Sequence, residues 1–211
     1  MDTSTDEGSP GRAGYRRSTG SPRGEARRRE LLDRVTEDLT LNGLADFSLR
    51  RVARAAGTTH KVLLYYFDGP EDLLRRVIFK LRERRISNAL AADGVPAGRT
   101  LADRVRAFWP TVWEEEMGLR RALDQAIGLA MYDPGRYGDL GREASGQYLP
   151  MLVSLCPEDW SDQRKLEVSE MILATLRGFV VERATTGDAS GVGAGFEALV
   201  RALEREEAAG D

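Results

Sequence analysis

His60, Lys61, Leu64 and Tyr65 recur at i, i+1, i+4 and i+5, a spacing that sets an imidazole, an ammonium and a phenol on one side of a single helix. All three groups donate hydrogen bonds, so the stripe suits a surface rich in acceptors, such as base edges and phosphate oxygens. Catalysis has little to draw on. The chain contains one His and one Cys. It has no glycine-rich phosphate loop, nucleophile elbow or metal-ligand spacing, so acid–base or nucleophilic chemistry would rest on scattered carboxylates. Glu114, Glu115 and Glu116 are adjacent and point in different directions on a helix, as in a solvated face. No enzyme, no metal and no cofactor is expected.

Two short helices joined by a glycine turn would position the stripe. Leu49, Val52, Ala53 and Ala56 fall at i, i+3, i+4 and i+7, one apolar face of the first, and Ser48 stands where an N-cap hydroxyl belongs. Gly57 can take the left-handed conformation that closes this helix. Thr59 can cap the next, in which Leu63, Tyr66 and Phe67 face inward and the stripe faces out. Asp68, Gly69 and Pro70 then stop it and start a third, with Glu71 and Asp72 in the first turn, where a positive helix N-terminus favours them. This is the pattern of a helix-turn-helix, whose second helix lies in the major groove. The residues expected to meet DNA are Ser48, Arg50, Thr59, His60, Lys61, Val62, Leu64 and Tyr65.

A longer helical period precedes the motif over residues 25–42, with Leu31, Leu32, Val35, Leu39 and Leu41, and Gly43 as its stop. Phe47 is placed to pack as a hydrophobic staple ahead of Ser48, so the three helices can share one small core. The order of long first helix, Ala-rich second helix, Ala55-Ala56-Gly57 turn, recognition helix and Glu71-Asp72-Leu73-Leu74 restart resembles the DNA-binding domain of the TetR family of transcriptional regulators, over roughly residues 25–85. Two departures stand out. Leu64 occupies the position where the family usually has a phosphate-touching tyrosine, and Pro70 occupies that of a usual lysine; Tyr65 and Lys61 are the candidates to take over those contacts.

The formal net charge of −3 conceals an asymmetry: residues 1–85 hold 18 Lys and Arg against 13 Asp and Glu, whereas the remainder holds 13 against 21. The basic part carries the helix-turn-helix, as expected of a surface facing phosphates. Residues 1–23, rich in Ser, Gly, Thr, Pro and Arg, read as a disordered basic tail. The single Cys156 excludes an intrachain disulfide and fits a reducing cytoplasm. No apolar stretch approaches the roughly twenty residues of a membrane span, and no membrane partner is expected.

The fold class is all-α. Residues 24–72 form a three-helix helix-turn-helix domain, and residues 73–211 a helical ligand-binding and dimerisation domain. Its periods run over about 73–92, 100–117, 119–132, 137–155, 161–186 and 192–207, with Pro110 and Pro150 inside two of them and Gly187 and Gly191 between the last two. Val168, Met171, Ile172, Thr175, Leu176, Phe179, Val180 and Arg183 make a wide stripe suited to an interface. The resemblance implies that the last two helices build a four-helix bundle with a second copy. Phe108, Trp109, Trp113, Met117, Met131, Tyr132, Tyr148 and Met151 concentrate adaptable apolar side chains that line either a plain core or a cavity, and Arg177 could meet an acidic ligand there. The expected partners are double-stranded operator DNA, a second copy of the chain as a homodimer, and a small apolar or aromatic effector. The expected function is that of a repressor released by that effector; the rival is a ligand-independent DNA-binding or partner-binding helical protein.

Overall fold

Ser21 opens the first helix. Its Oγ accepts from the Gly24 amide at 3.1 Å, and Pro22 fills the first helical position, so α1 spans Pro22–Asn42 and begins three residues ahead of the predicted Glu25. The structure, a computed structural model, describes residues 21–91, 100–114 and 116–209, without the side chains of residues 113 and 114. Most of the tail expected over residues 1–23 therefore lies outside the described residues, while Ser21, Pro22 and Arg23 belong to the cap and first turn of α1.

Every regular element among the described residues is a helix: α2 Leu49–Ala55, α3 His60–Tyr66, α4 Pro70–Ala91, α5 Leu101–Glu114, α6 Met117–Tyr132, α7 Pro134–Leu155, α8 Asp162–Thr186 and α9 Ala189–Ala208. Pro110 and Pro150 are both accommodated inside helices, α5 and α7. Two starts differ from the periodicity for the same reason. Asp133 Oδ1 accepts from the Arg136 amide at 3.0 Å and Asp188 Oδ1 from the Gly191 amide at 2.8 Å, so capping carboxylates begin α7 and α9 before their first apolar residues. Gly187, at φ +74°, closes α8, whereas Gly191 lies within α9.

The buried side chains form two clusters. Leu31, Val35, Leu39, Val52 and Leu63 of α1–α3, with Phe67 just after α3, pack with Leu74, Val77, Ile78 and Leu81 of α4, and the cluster continues into Leu119, Ala122, Leu123 and Ala126 of α6. The core under the helix-turn-helix thus extends past residue 72 and includes a helix from much later in the chain. The second cluster joins Leu101, Val105 and Trp109 of α5 to Met151 and Leu152 of α7, Ile172 and Leu176 of α8, and Phe196, Val200 and Leu203 of α9. Truncating any of these fully buried leucines to Ala would cost about 2–5 kcal/mol. Helix α4 spans both clusters: its early leucines lie in the first, and Ile86 packs on the second.

Candidate functional site

The turn between α2 and α3 is built from the backbone outward. Gly57, at φ +65°, lets its amide donate to Arg54 O at 3.1 Å and the Thr58 amide donate to Ala53 O at 2.8 Å, the paired bonds of a Schellman closure. A guanidinium from α1 clamps it, since Arg34 Nη1 donates to Ala56 O at 3.1 Å. Arg51 reaches back from α2 to Gly43 O at 3.0 Å and to Asp38 at 3.5 Å. The predicted caps are present: Ser48 Oγ accepts from the Arg51 amide and Thr59 Oγ1 from the Val62 amide, both at 3.3 Å.

Leu63 and Phe67 are buried beneath the pair, and Arg28 lies over the Phe67 ring at 5.5 Å. Ser48, Arg50, Thr59, Lys61 and Leu64 are exposed, with His60 and Tyr65 half-buried beside them. The Tyr65 ring meets Tyr66 edge-on at 4.8 Å, which braces the phenol against the helix beneath it. Val62, expected among the outward residues, is half-buried and also packs against the core, where α3 meets α2. Arg54, exposed on the last turn of α2, adds a cation that the motif reading passed over.

Between α4, α5, α6, α7 and α8 lies a cavity of about 420 Å³, within the ordinary range of small-molecule sites. Phe108, Trp109, Met131, Tyr148, Met151 and Arg177, all named from the sequence, line it. Trp109 is the best fixed of them, stacked on Phe196 at 5.1 Å and edge-on to Phe179 at 5.9 Å. Two expected residues do not join. Met117, at the first position of α6, is 72% exposed, and Tyr132, at its last, is 87% exposed, because the ends of α6 turn those positions away from α5 and α7. The Trp113 side chain lies outside the described residues. Met131 and Arg142 are exposed, so the cavity opens to solvent where α6 passes into α7.

Two further wall residues were not anticipated. Arg82 and Arg85 are only 4% and 9% exposed, although they belong to a run of arginines that resembles a solvated face. Arg82 donates to Leu140 O and, at 3.4 Å, to Gln147 Oε1; Arg85 Nη1 lies 3.5 Å from the Tyr148 hydroxyl. Burial pulls the Arg82 guanidinium down to about 10, which leaves it charged at neutral pH. Burial likewise lowers Arg177, whose Nη1 donates to Ser145 Oγ at 3.3 Å.

The stripe predicted on α8 splits. Val168, Ile172, Leu176 and Val180 are buried within the protein's own core, and Val180 also lines the cavity. The outward face of α8 keeps Met171 from that stripe and adds Ala174, Gly178 and Val181, one helix side of small and apolar residues.

Several solved structures share this fold. A Streptomyces coelicolor protein named as a transcriptional regulator matches with a TM-score of 0.62 at 23% identity, over 83% of this chain and 96% of its own. A TetR-family regulator from Cytophaga hutchinsonii matches with a TM-score of 0.65 at 15% identity, over 87% and 96%. The multidrug binding protein EbrR, solved with proflavin, matches with a TM-score of 0.63 at 17% identity, over 83% and 98%. No protein-family model matches the sequence, and no curated protein does. The chain has the all-α fold of TetR-family regulators.

Proposed function

We propose that the protein is a TetR-family transcriptional regulator: a homodimer that reads near-palindromic operator DNA with α2 and α3 and is released from it when a small molecule enters the cavity. Residues 24–72 supply the reading surface, with Arg50, His60, Lys61, Leu64 and Tyr65 outward. Residues 73–211 sense and dimerise. One recognition helix covers only a few base pairs, so two-fold symmetry doubles the readout. The outward face of α8, with Gly178 open to close approach, supports a bundle with the partner's matching helix.

The observation that carries the sensing half is the double duty of α6. Leu123, Ala126, Ile127 and Ala130 wall the cavity. On the same helix, Arg121 Nη2 donates to Leu41 O at 2.6 Å and Gln125 Oε1 accepts from the Leu44 amide at 2.6 Å, at the junction between α1 and α2. A ligand that favours one position of α6 therefore favours one placement of the recognition helices, and the coupling free energy acts equally in both directions. Repression follows if the ligand-bound placement fits the operator less well. The proflavin held by EbrR supports a planar, apolar-bodied class of effector.

Footprinting at the promoter of the protein's own gene tests the reading. A protected, symmetric site whose affinity falls steeply with salt is expected. Equal affinity for that promoter and for random duplex at physiological salt would overturn it.

A further inference from the structure

The cavity wall has an unusual charge pattern. Among the described residues lining it are four arginines, Arg82, Arg85, Arg142 and Arg177, and no Asp or Glu. Arg142 is answered at the rim by Asp139 at 2.6 Å. Arg85 is faced by Asp124 across the α4–α6 contact. Glu143, the carboxylate whose charge acts on Arg82, is ion-paired with Arg75 at 2.8 Å. Arg82 and Arg177 are left with a carbonyl, an amide oxygen and a hydroxyl as their partners, and Arg177 Nη2 is buried with none. A buried guanidinium without a counter-charge loses hydration that neutral acceptors only partly replace.

We infer that the effector is an organic anion, with an apolar body against Phe108, Trp109 and Met151 and an acid group held by Arg177 and Arg82 beside the Tyr148 hydroxyl. Arg82 reaches Leu140 O and Gln147 Oε1, Arg85 the Tyr148 hydroxyl and Arg177 Ser145 Oγ, so three guanidiniums that line the cavity bear on one stretch of α7. An acid group there gains charge-assisted hydrogen bonds in a low-dielectric site, while a cation would meet a wall whose lining charges are all positive. The inference rests on the sensing role proposed above and deepens it.

Three probes with planar aromatic bodies separate the outcomes: the anion anilinonaphthalene sulfonate, its neutral analogue N-phenylnaphthylamine, and the cation proflavin. Binding to the folded protein is followed by probe fluorescence and by quenching of tryptophan fluorescence, to which Trp109 contributes from the cavity wall. The anion is expected to bind at least about ten-fold tighter than the neutral analogue. Arg177→Gln is expected to remove most of that preference while leaving the neutral probe unaffected, and Arg177→Lys to restore part of it. Excess inorganic phosphate is expected not to displace the anion, because it has no apolar body. Equal binding of neutral and anionic probes, tighter binding of proflavin, or loss of the preference in phosphate would overturn the anion inference and leave the cavity as a sensing site. If none of the three binds, the sensing role falls, and this inference with it.

Discussion

The Leu44 amide donates to Gln125 Oε1 at 2.6 Å, joining residues 81 positions apart and tying the approach to the helix-turn-helix to the wall of the cavity. The same oxygen lies where a Cβ on Gly43 would come within 2.7 Å, so the junction fits tightly around it. Gln125→Ala removes the acceptor from a part-buried amide, and a fall in stability of about 1–3 kcal/mol is expected. Thermal melting measures that loss. Band shifts with and without a cavity-binding probe measure the more telling effect, a smaller ligand-dependent change in operator affinity.

A second close approach gives an independent handle. A Cβ at Gly118 would stand 2.1 Å from the Thr40 carbonyl oxygen, and a backbone atom cannot swing aside. Gly118→Ala is expected to push α6 from the end of α1 at a cost of about 1–3 kcal/mol. Differential scanning calorimetry would show it, and an unchanged melting temperature would mean that the two helices are not so closely seated.

On the reading surface, Lys61→Ala is expected to weaken operator binding by about 1–3 kcal/mol if Lys61 meets a base edge, and to reduce the salt dependence if it meets a phosphate. Its exposure predicts no change in melting. Leu64→Tyr should strengthen binding by placing a hydroxyl where Leu64 now presents an exposed apolar side chain. Titrations at several salt concentrations check both.

The neighbours Val180 and Val181 separate folding from assembly. Val180 is 8% exposed within the protein's own core, so Val180→Asp is expected to destabilise the subunit itself by about 3 kcal/mol or more. Val181 lies on the outward face, so Val181→Asp should yield folded monomers. Sedimentation for oligomeric state and circular dichroism for folding distinguish the two.

Asp72 supplies a pH test. Burial pushes its carboxyl up, but hydrogen bonds from Arg76 Nε at 3.0 Å, the Asp68 amide at 3.2 Å and Arg75 Nη2 at 3.2 Å prevail and hold it below its ordinary 3.8. A carboxyl lowered by folding contributes stability that is fully present above its unfolded value and is lost as pH falls through the folded one. Asp72→Asn is therefore expected to lower stability by about 1 kcal/mol at neutral pH, with the difference from wild type shrinking as pH falls below 3.8. Urea titrations across that window measure it.

Local physics made much of this protein legible in its sequence. The caps Ser48 and Thr59, the Gly57 closure and the inward set of Leu63 and Phe67 depend on residues within one or two turns of each other, so spacing alone determines them. The gathering of Phe108, Trp109, Tyr148 and Met151 was legible as composition, because large adaptable side chains must be buried somewhere. Periodicity says which residues share a face, but not which neighbour that face meets. Helix docking decided that Arg82 and Arg85, which follow Ile78 at i+4 and i+7, turn toward the cavity while Met117 and Tyr132 turn toward solvent. It also decided that Val180 points in and Val181 out, a rotation of about 100° between adjacent positions. The sequence by itself determined the helices and the caps of α2 and α3; the contacts of α4 and α6 with α7, made between distant segments, decided which charges were buried and where the cavity opened.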